Sequence, residues 1–221
     1  MGIKVVTALL LATLLAGCAG APDGPQRPPA RNTGAAINQT PQGRACLASL
    51  GTAQANFTPL PDRFFGAGCA TQGTVRLDWL QGDAGRLAIT NLGPVSCPLA
   101  LAMQNWVRFG VDRAARQILG SPLARIETMG SYSCRNVAGT RRLSAHATAN
   151  AVDIAAFRLA DGRRISVLGD WNATSPQIRA FLRTIRDSAC KRFGTVLTPE
   201  YNAAHRDHLH LETSAMRPLC R

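Results

Sequence analysis

The stretches Ser144-Ala145-His146-Ala147-Thr148-Ala149-Asn150-Ala151-Val152-Asp153-Ile154 and His205-Arg206-Asp207-His208-Leu209-His210-Leu211-Glu212 hold all four histidines of the chain. Residues alternate sides along an extended strand, so His208, His210 and Glu212 share one face and Leu209 and Leu211 take the other. Two imidazoles two positions apart on a strand face have Cα atoms roughly 6.5–7 Å apart. That spacing suits one metal ligand beside one group that works on a metal-bound water. In the first stretch Val152, Ile154 and Phe157 read as strand, with Ala151, Asp153 and Ala155 on the opposite face. Asp153 is thus a carboxylate in an apolar strand, costly to bury unless paired or bound to a metal. Two histidines and one aspartate make a three-ligand set with an open fourth position, the layout of a catalytic rather than a structural zinc site.

Working outward, the 40 residues before the first stretch hold a strand over Leu123 to Met129, and a helix precedes it. Pro98 opens that helix. Leu99, Met103, Trp106 or Val107, Val111, Ala114 and Ile118 follow at strides of three and four, and Gly120 and Pro122 stop it. Between the two histidine stretches, Thr174-Ser175-Pro176 announces a second helix by a cap residue and a first-turn proline. Ile178, Phe181, Leu182 and Ile185 form its apolar stripe; Arg179, Arg183 and Arg186 are expected on a solvated face. The earlier part of the chain is punctuated by Gly and Pro and reads as loops with short strands at Gly73 to Leu77 and Arg86 to Thr90. No internal repeat is visible. With 46% hydrophobic residues in 221, the chain suits one folded domain of mixed α and β character.

The amino terminus is of another kind. Met1 to Lys4 is a short positive start, and Val5 to Leu15 is an eleven-residue apolar run, too short to span a bilayer and of the length of a secretory signal core. It ends in Leu15-Ala16-Gly17-Cys18, which resembles the lipobox of bacterial lipoproteins. The resemblance implies a signal peptide over residues 1–17, an acylated Cys18 as first mature residue and, with Ala19 in place of a retention aspartate, the outer membrane. Residues 18–44, rich in Pro and without apolar periodicity, are expected to be a flexible tether, leaving 45–221 as the folded domain. Taking Cys18 as the anchor leaves six of the seven cysteines, and an exported compartment is oxidising, so three disulfides are expected among Cys46, Cys69, Cys97, Cys134, Cys190 and Cys220. Six cysteines allow fifteen pairings; Cys46–Cys69, Cys97–Cys134 and Cys190–Cys220 are favoured. The net charge of +12 comes almost wholly from arginine, since Lys4 and Lys191 are the only lysines. In an exported protein that charge points to the membrane surface and an anionic wall rather than to nucleic acid.

The pattern Ser144-x-His146-x-x-Ala149-x-Ala151-x-Asp153 resembles the Ser-x-His-x-x-Gly-x-Ala-x-Asp signature of the zinc D-Ala-D-Ala peptidases, whose superfamily also holds the lysostaphin-type peptidases and the hedgehog amino-terminal domain. Its one departure is Ala149 where Gly is usual. His205-x-x-His208-x-His210 resembles the penicillin-insensitive murein endopeptidases of that superfamily. The whole stretch from about Cys46 to Glu212 is similar to the bacterial extensin-like carboxy-terminal domain family, on Trp106, Ser131-Tyr132-Ser133-Cys134-Arg135, Leu143 to His146, Asp153-Ile154, Asp170-Trp171, Phe193-Gly194 and Tyr201 to His210. The resemblance implies an α+β fold, in which a small, mainly antiparallel sheet carries the metal ligands and helices flank it. It implies one zinc ion per chain held by His146, Asp153 and His210, with His208 beside the metal-bound water, His205 as a further active-site histidine, and Arg135 as a substrate or oxyanion group. Ser144 and Asp207 are expected to hold the imidazoles in register. The implied activity is peptidoglycan hydrolysis at peptide cross-links or stem peptides, of the DD-endopeptidase or carboxypeptidase type, with a histidine base. The competing expectation is a non-catalytic, zinc-containing, wall-binding or structural envelope lipoprotein, since the hedgehog domain keeps the scaffold as a binding protein.

Overall fold

The computed structural model describes residues 40–213 and 218–221. The expected signal peptide, the anchor Cys18 and the tether as far as residue 39 lie outside the described residues. In chain order the elements are α1 (Pro41–Thr52), β1 (Asn56–Pro59), β2 (Arg63–Gly66), β3 (Cys69–Thr71), β4 (Thr74–Gln81), β5 (Arg86–Thr90), β6 (Val95–Ser96), α2 (Cys97–Trp106), a π-helical segment (Val107–Asp112), α3 (Arg113–Leu119) and β7 (Leu123–Gly130). A 3-10 turn (Ala145–Thr148) leads into β8 (Ala151–Leu159), then β9 (Arg164–Ser166), α4 (Val167–Asp170), α5 (Pro176–Cys190), β10 (Thr195–Leu197), a second 3-10 turn (Ala203–His205), β11 (Leu209–Glu212) and β12 (Leu219–Cys220).

The fold is α+β. The sheet is larger than expected: ten strands, in the order β1-β4-β5-β7-β8-β11-β10-β12, with β6 on β4 and β9 on β8. It is mostly antiparallel, with parallel pairings at β5–β7 and β10–β12. β2 and β3 form a separate hairpin. β8 runs between β7 and β11, and its register with β11 sets Asp153 directly opposite His210. Strict alternation would put Phe157 on the Asp153 face. A register shift against β7 (Thr128 faces Ile154, Glu127 faces Ala156) inserts Ala155 as an extra residue, and Phe157 rejoins Val152 and Ile154 in the core.

The helices bury their apolar stripes against that core. Phe181, Leu182, Ile185 and Ala189 of α5 are buried. Ser175 caps α5 by accepting from the Ile178 N–H. Trp106 meets Phe157 and Phe193 edge-on, at ring separations of 6.2 and 6.0 Å, and its indole N–H donates to the Ile185 carbonyl at 2.9 Å. The long helix is not continuous. A π segment starts at Val107, so one extra residue enters the turn and Trp106 and Val107 are both fully buried. Gly110 sits at the crossing with α5, where a Cβ would meet Ser188 Oγ at 2.3 Å.

Three further expectations are corrected. Helix α1 begins at Pro41, inside the expected tether, because Thr40 Oγ1 accepts from the Gly43 N–H and Leu50 buries completely in the core. The disulfides are Cys46–Cys97, Cys69–Cys134 and Cys190–Cys220, so two of the three favoured pairings are wrong. α1 packs on the start of α2, bringing Cys46 to Cys97, and β3 lies beside the segment that follows β7, bringing Cys69 to Cys134. Finally, the α5 arginines are not a uniformly solvated face. Arg183 lies over the Trp171 ring at 3.9 Å and pairs with Glu200 at 2.9 Å; Glu200 also accepts from the Trp171 indole N–H.

Candidate metal centre

Three side chains from three elements converge on the face of the β8–β11 pair that points away from the helices. Asp153 and His210 come from paired positions of the two strands, while Val152, Ile154, Leu209 and Leu211 point into the core. His146 comes from the 3-10 turn before β8. That turn is shaped by Ser144, whose Oγ accepts from the His146 backbone N–H at 3.3 Å, and by Ala149, which closes it in the left-handed region at φ 55°. The left-handed conformation costs an alanine about 1–2 kcal/mol relative to right-handed backbone, which is why glycine suits this position.

His146 Nε2 lies 3.2 Å from His210 Nδ1 and 3.2 Å from Asp153 Oδ2, and His210 Nδ1 lies 2.9 Å from Asp153 Oδ1. Ligands about 2.0–2.1 Å from a tetrahedral zinc stand roughly 3.3 Å apart, so the spacing of these donors fits that geometry. All three residues are buried. The outward ring nitrogens are also placed: His146 Nδ1–H donates to the Ser131 carbonyl at 2.7 Å, and His210 Nε2 faces Glu212 Oε2 at 3.4 Å. The first bond makes Nε2 the lone-pair nitrogen of His146, the form a metal requires.

Beside the triad, His208 Nδ1–H donates to Asp207 Oδ1 at 2.8 Å and its Nε2 lies 3.5 Å from Asp153 Oδ1. His205 sits above, its ring 5.2 Å from that of His208 and 5.8 Å from that of His210, with Nδ1–H donating to Asn202 Oδ1 at 2.7 Å. Arg135 is exposed, follows the disulfide residue Cys134, and its carbonyl accepts from the Ser144 N–H.

The family model described as Extensin-like protein C-terminus matches residues 44–221, which takes in every residue of this cluster. The chain belongs to the extensin-like C-terminal family. Neither the curated proteins nor the solved structures contain a match to the chain.

Electrostatics in this extensin-like domain bind the cluster together. Burial pushes the Asp153 carboxyl up, but the close contacts with the His146 and His210 imidazoles and the nearby imidazole charges outweigh burial and hold it below its ordinary value. Burial pushes His210 down, but the hydrogen bonds to Asp153 and Glu212 raise it to about 9. Burial and the charges of His208 and His210, joined by Arg135, press His205 down to about 4, so it is neutral at pH 7.

The expected site residues of the extensin-like domain divide into those that meet here and those that do not. His146, Asp153, His210, His208 and His205 come together. Asp207 touches the His208 ring, whereas Ser144 acts on the backbone of His146 and not on its ring. Arg135 has no side-chain partner among the described residues and reaches the cluster through its charge. Sequence reasoning missed Ser131, because it acts through its carbonyl and leaves no side-chain signal. It also missed Asn202, whose three-residue offset from His205 was the available sign.

Proposed function

We propose that this extensin-like chain is a zinc-dependent peptidase that acts on the peptide cross-links or stem peptides of peptidoglycan. The observation that carries the reading is the set of three buried donors, His146 Nε2, the Asp153 carboxylate and His210 Nδ1, spaced as zinc ligands are, with a third imidazole, that of His208, at its edge. A zinc ion held by the three would lower the pKa of its water to about 7 and polarise a scissile carbonyl.

The remaining chemistry belongs to the chain. His208 is the base: its Nδ1–H is held by Asp207, which leaves Nε2 directed at the triad to take a proton and pass it to the leaving amine. Asp207 stabilises the imidazolium formed in that transfer. His205, neutral and with its Nδ1–H committed to Asn202, presents Nε2 as an acceptor and orients the substrate. Arg135 would supply a guanidinium to the developing oxyanion or to a substrate carboxylate. By the lipobox resemblance the protein is anchored through Cys18, at the outer membrane facing the periplasm, with peptidoglycan within reach of its tether.

The test is release of muropeptide fragments from purified sacculi by the zinc-loaded protein, with His208→Ala as control. Release lost in His208→Ala supports the reading. A folded, zinc-loaded protein that leaves sacculi intact refutes it and favours the non-catalytic, wall-binding alternative. Elemental analysis should find about one zinc per chain, lost in His146→Ala; a full zinc load in that variant would remove the ligand assignment.

A further inference from the structure

The β2–β3 hairpin has no part in the metal centre, yet it is locked to the segment that positions it. Cys69 of β3 is bonded to Cys134. The Ser131 carbonyl, three residues earlier, holds the His146 ring, and the Ser133 N–H donates to the His146 carbonyl. The hairpin turn also packs on Leu143, since a Cβ on Gly68 would meet Leu143 Cδ1 at 2.6 Å. This disulfide-tied arm carries exposed apolar surface. Phe65 is 51% exposed, and its ring lies 5.2 Å from that of Tyr132, tilted by 38°. The two rings wall a cavity of about 270 Å³ together with Arg63, Leu60, Pro61 and Pro94.

Charge around the arm is one-sided. Residues 63–73 and 128–152 contain no acidic side chain but include Arg63, Arg135, Arg141 and Arg142. All four are exposed and, among the described residues, have no side-chain partner. Of the carboxylates that flank these stretches, Asp62 accepts from the Gly73 N–H at 2.9 Å, Glu127 pairs with Arg158 and Arg164, and Asp153 is engaged by His146 and His210. Several arginines elsewhere are matched, as in Arg108 and Arg113 with Asp83, or Arg158 and Arg164 with Glu127, whereas Arg125 and Arg206 are exposed and unmatched among the described residues. Unpaired guanidinium groups are suited to carboxylates, and a shaped ring pair to the apolar C–H face of a sugar.

We infer that the Phe65–Tyr132 ring pair and Arg63 form a binding surface for a peptide-bearing glycan strand, with the rings on the sugar and Arg63 on a free carboxylate of the attached peptide, which holds the strand while a peptide enters the metal centre. The inference rests on the peptidoglycan reading for the identity of the strand. Phe64 on the same strand projects outside the cavity, at 72% exposed, so a lipid surface is the competing occupant, and the vesicle arm of the test decides between them.

The test uses the full chain in a His208→Ala background, so that the ligand is not consumed. It measures binding to sacculi and to their muramidase-solubilised glycan–peptide fragments, with vesicles of phosphatidylglycerol and phosphatidylcholine as the second arm. Phe65→Ala and Arg63→Gln are each expected to weaken fragment binding about tenfold, the effect of roughly 1.4 kcal/mol. Phe65→Tyr keeps the ring and should stay within about twofold, and zinc content should be unchanged in all three. Unchanged binding in Phe65→Ala and Arg63→Gln overturns the inference. So does tighter retention of the parent chain by the vesicles than by sacculi, if Phe65→Ala abolishes it. A chain with His208 restored that binds fragments through Phe65 but cuts nothing removes the peptidase reading and leaves this surface standing. Cutting with Phe65-independent binding does the reverse.

Discussion

Removing metal and raising the pH isolates the charged contacts of His210 at the centre of the site, with Asp153 and Glu212. In the metal-free protein the hydrogen bonds to Asp153 and Glu212 raise the His210 imidazole from 6.5 to about 9. That difference corresponds to roughly 3 kcal/mol of stability. The contact depresses Asp153 at the same time, so it is counted once. The folded value lies above the unfolded one. The contribution is therefore complete below about pH 6.5 and disappears as the pH rises through about 9. For a chain of this size each kcal/mol moves the melting temperature by about 2–4 °C. Chelator-treated protein should thus melt roughly 6–12 °C lower at pH 10 than at pH 6 from this source. Thermal melts followed by tryptophan fluorescence across that range, in parent and His210→Gln proteins, would measure it. The variant should lack the descent above pH 6.5. A flat parent profile, or the same slope in both proteins, would refute the assignment of the charge to His210 and its two carboxylates.

Three further outcomes are expected. Non-reducing peptide mapping should recover Cys46 with Cys97 and Cys69 with Cys134, and loss of the second bridge by Cys69→Ser with Cys134→Ser should cost about 4 kcal/mol in urea unfolding, the entropy of closing its long loop. Gly110→Ala should destabilise by about 1–2 kcal/mol, because the steric conflict with Ser188 exceeds the helix-propensity gain, and adding Ser188→Ala should recover part of the loss. On the peptidase reading, Asp207→Asn should lower muropeptide release by about 10–100-fold with zinc content unchanged, since it removes the charge that stabilises the His208 imidazolium while leaving the three donors in place.

The elements with strong periodicity were legible. The stripe of α5, the strand with Val152 and Ile154 against Asp153, and the alternation of Leu209 and Leu211 with His210 each reflect one side of an element buried and the other not. The same logic failed where packing shifts the period. Ala155 inserts a bulge in β8, and the π segment lets Trp106 and Val107 share the core; neither has a local signal, because each is set by the neighbouring strand or helix. The α5 arginines read as solvated because their stride from the apolar stripe says nothing of Trp171 and Glu200, which reach them from a different part of the chain. Helix α1 was missed because its cap and proline stand at the end of a Pro-rich run that hides them.

By itself the sequence determined the mixed α and β character, the even set of six cysteines and the placement of Asp153 and His210 on the outer faces of their strands. These are consequences of local period, count and polarity, which each segment carries alone. The tertiary structure decided which cysteines pair, that β8 and β11 align Asp153 with His210, and that the Ser131 carbonyl and Asp207 orient the rings. Those contacts join residues tens of positions apart through sheet register and backbone groups. Their positions follow from packing of the whole core, so no single stretch of sequence records them.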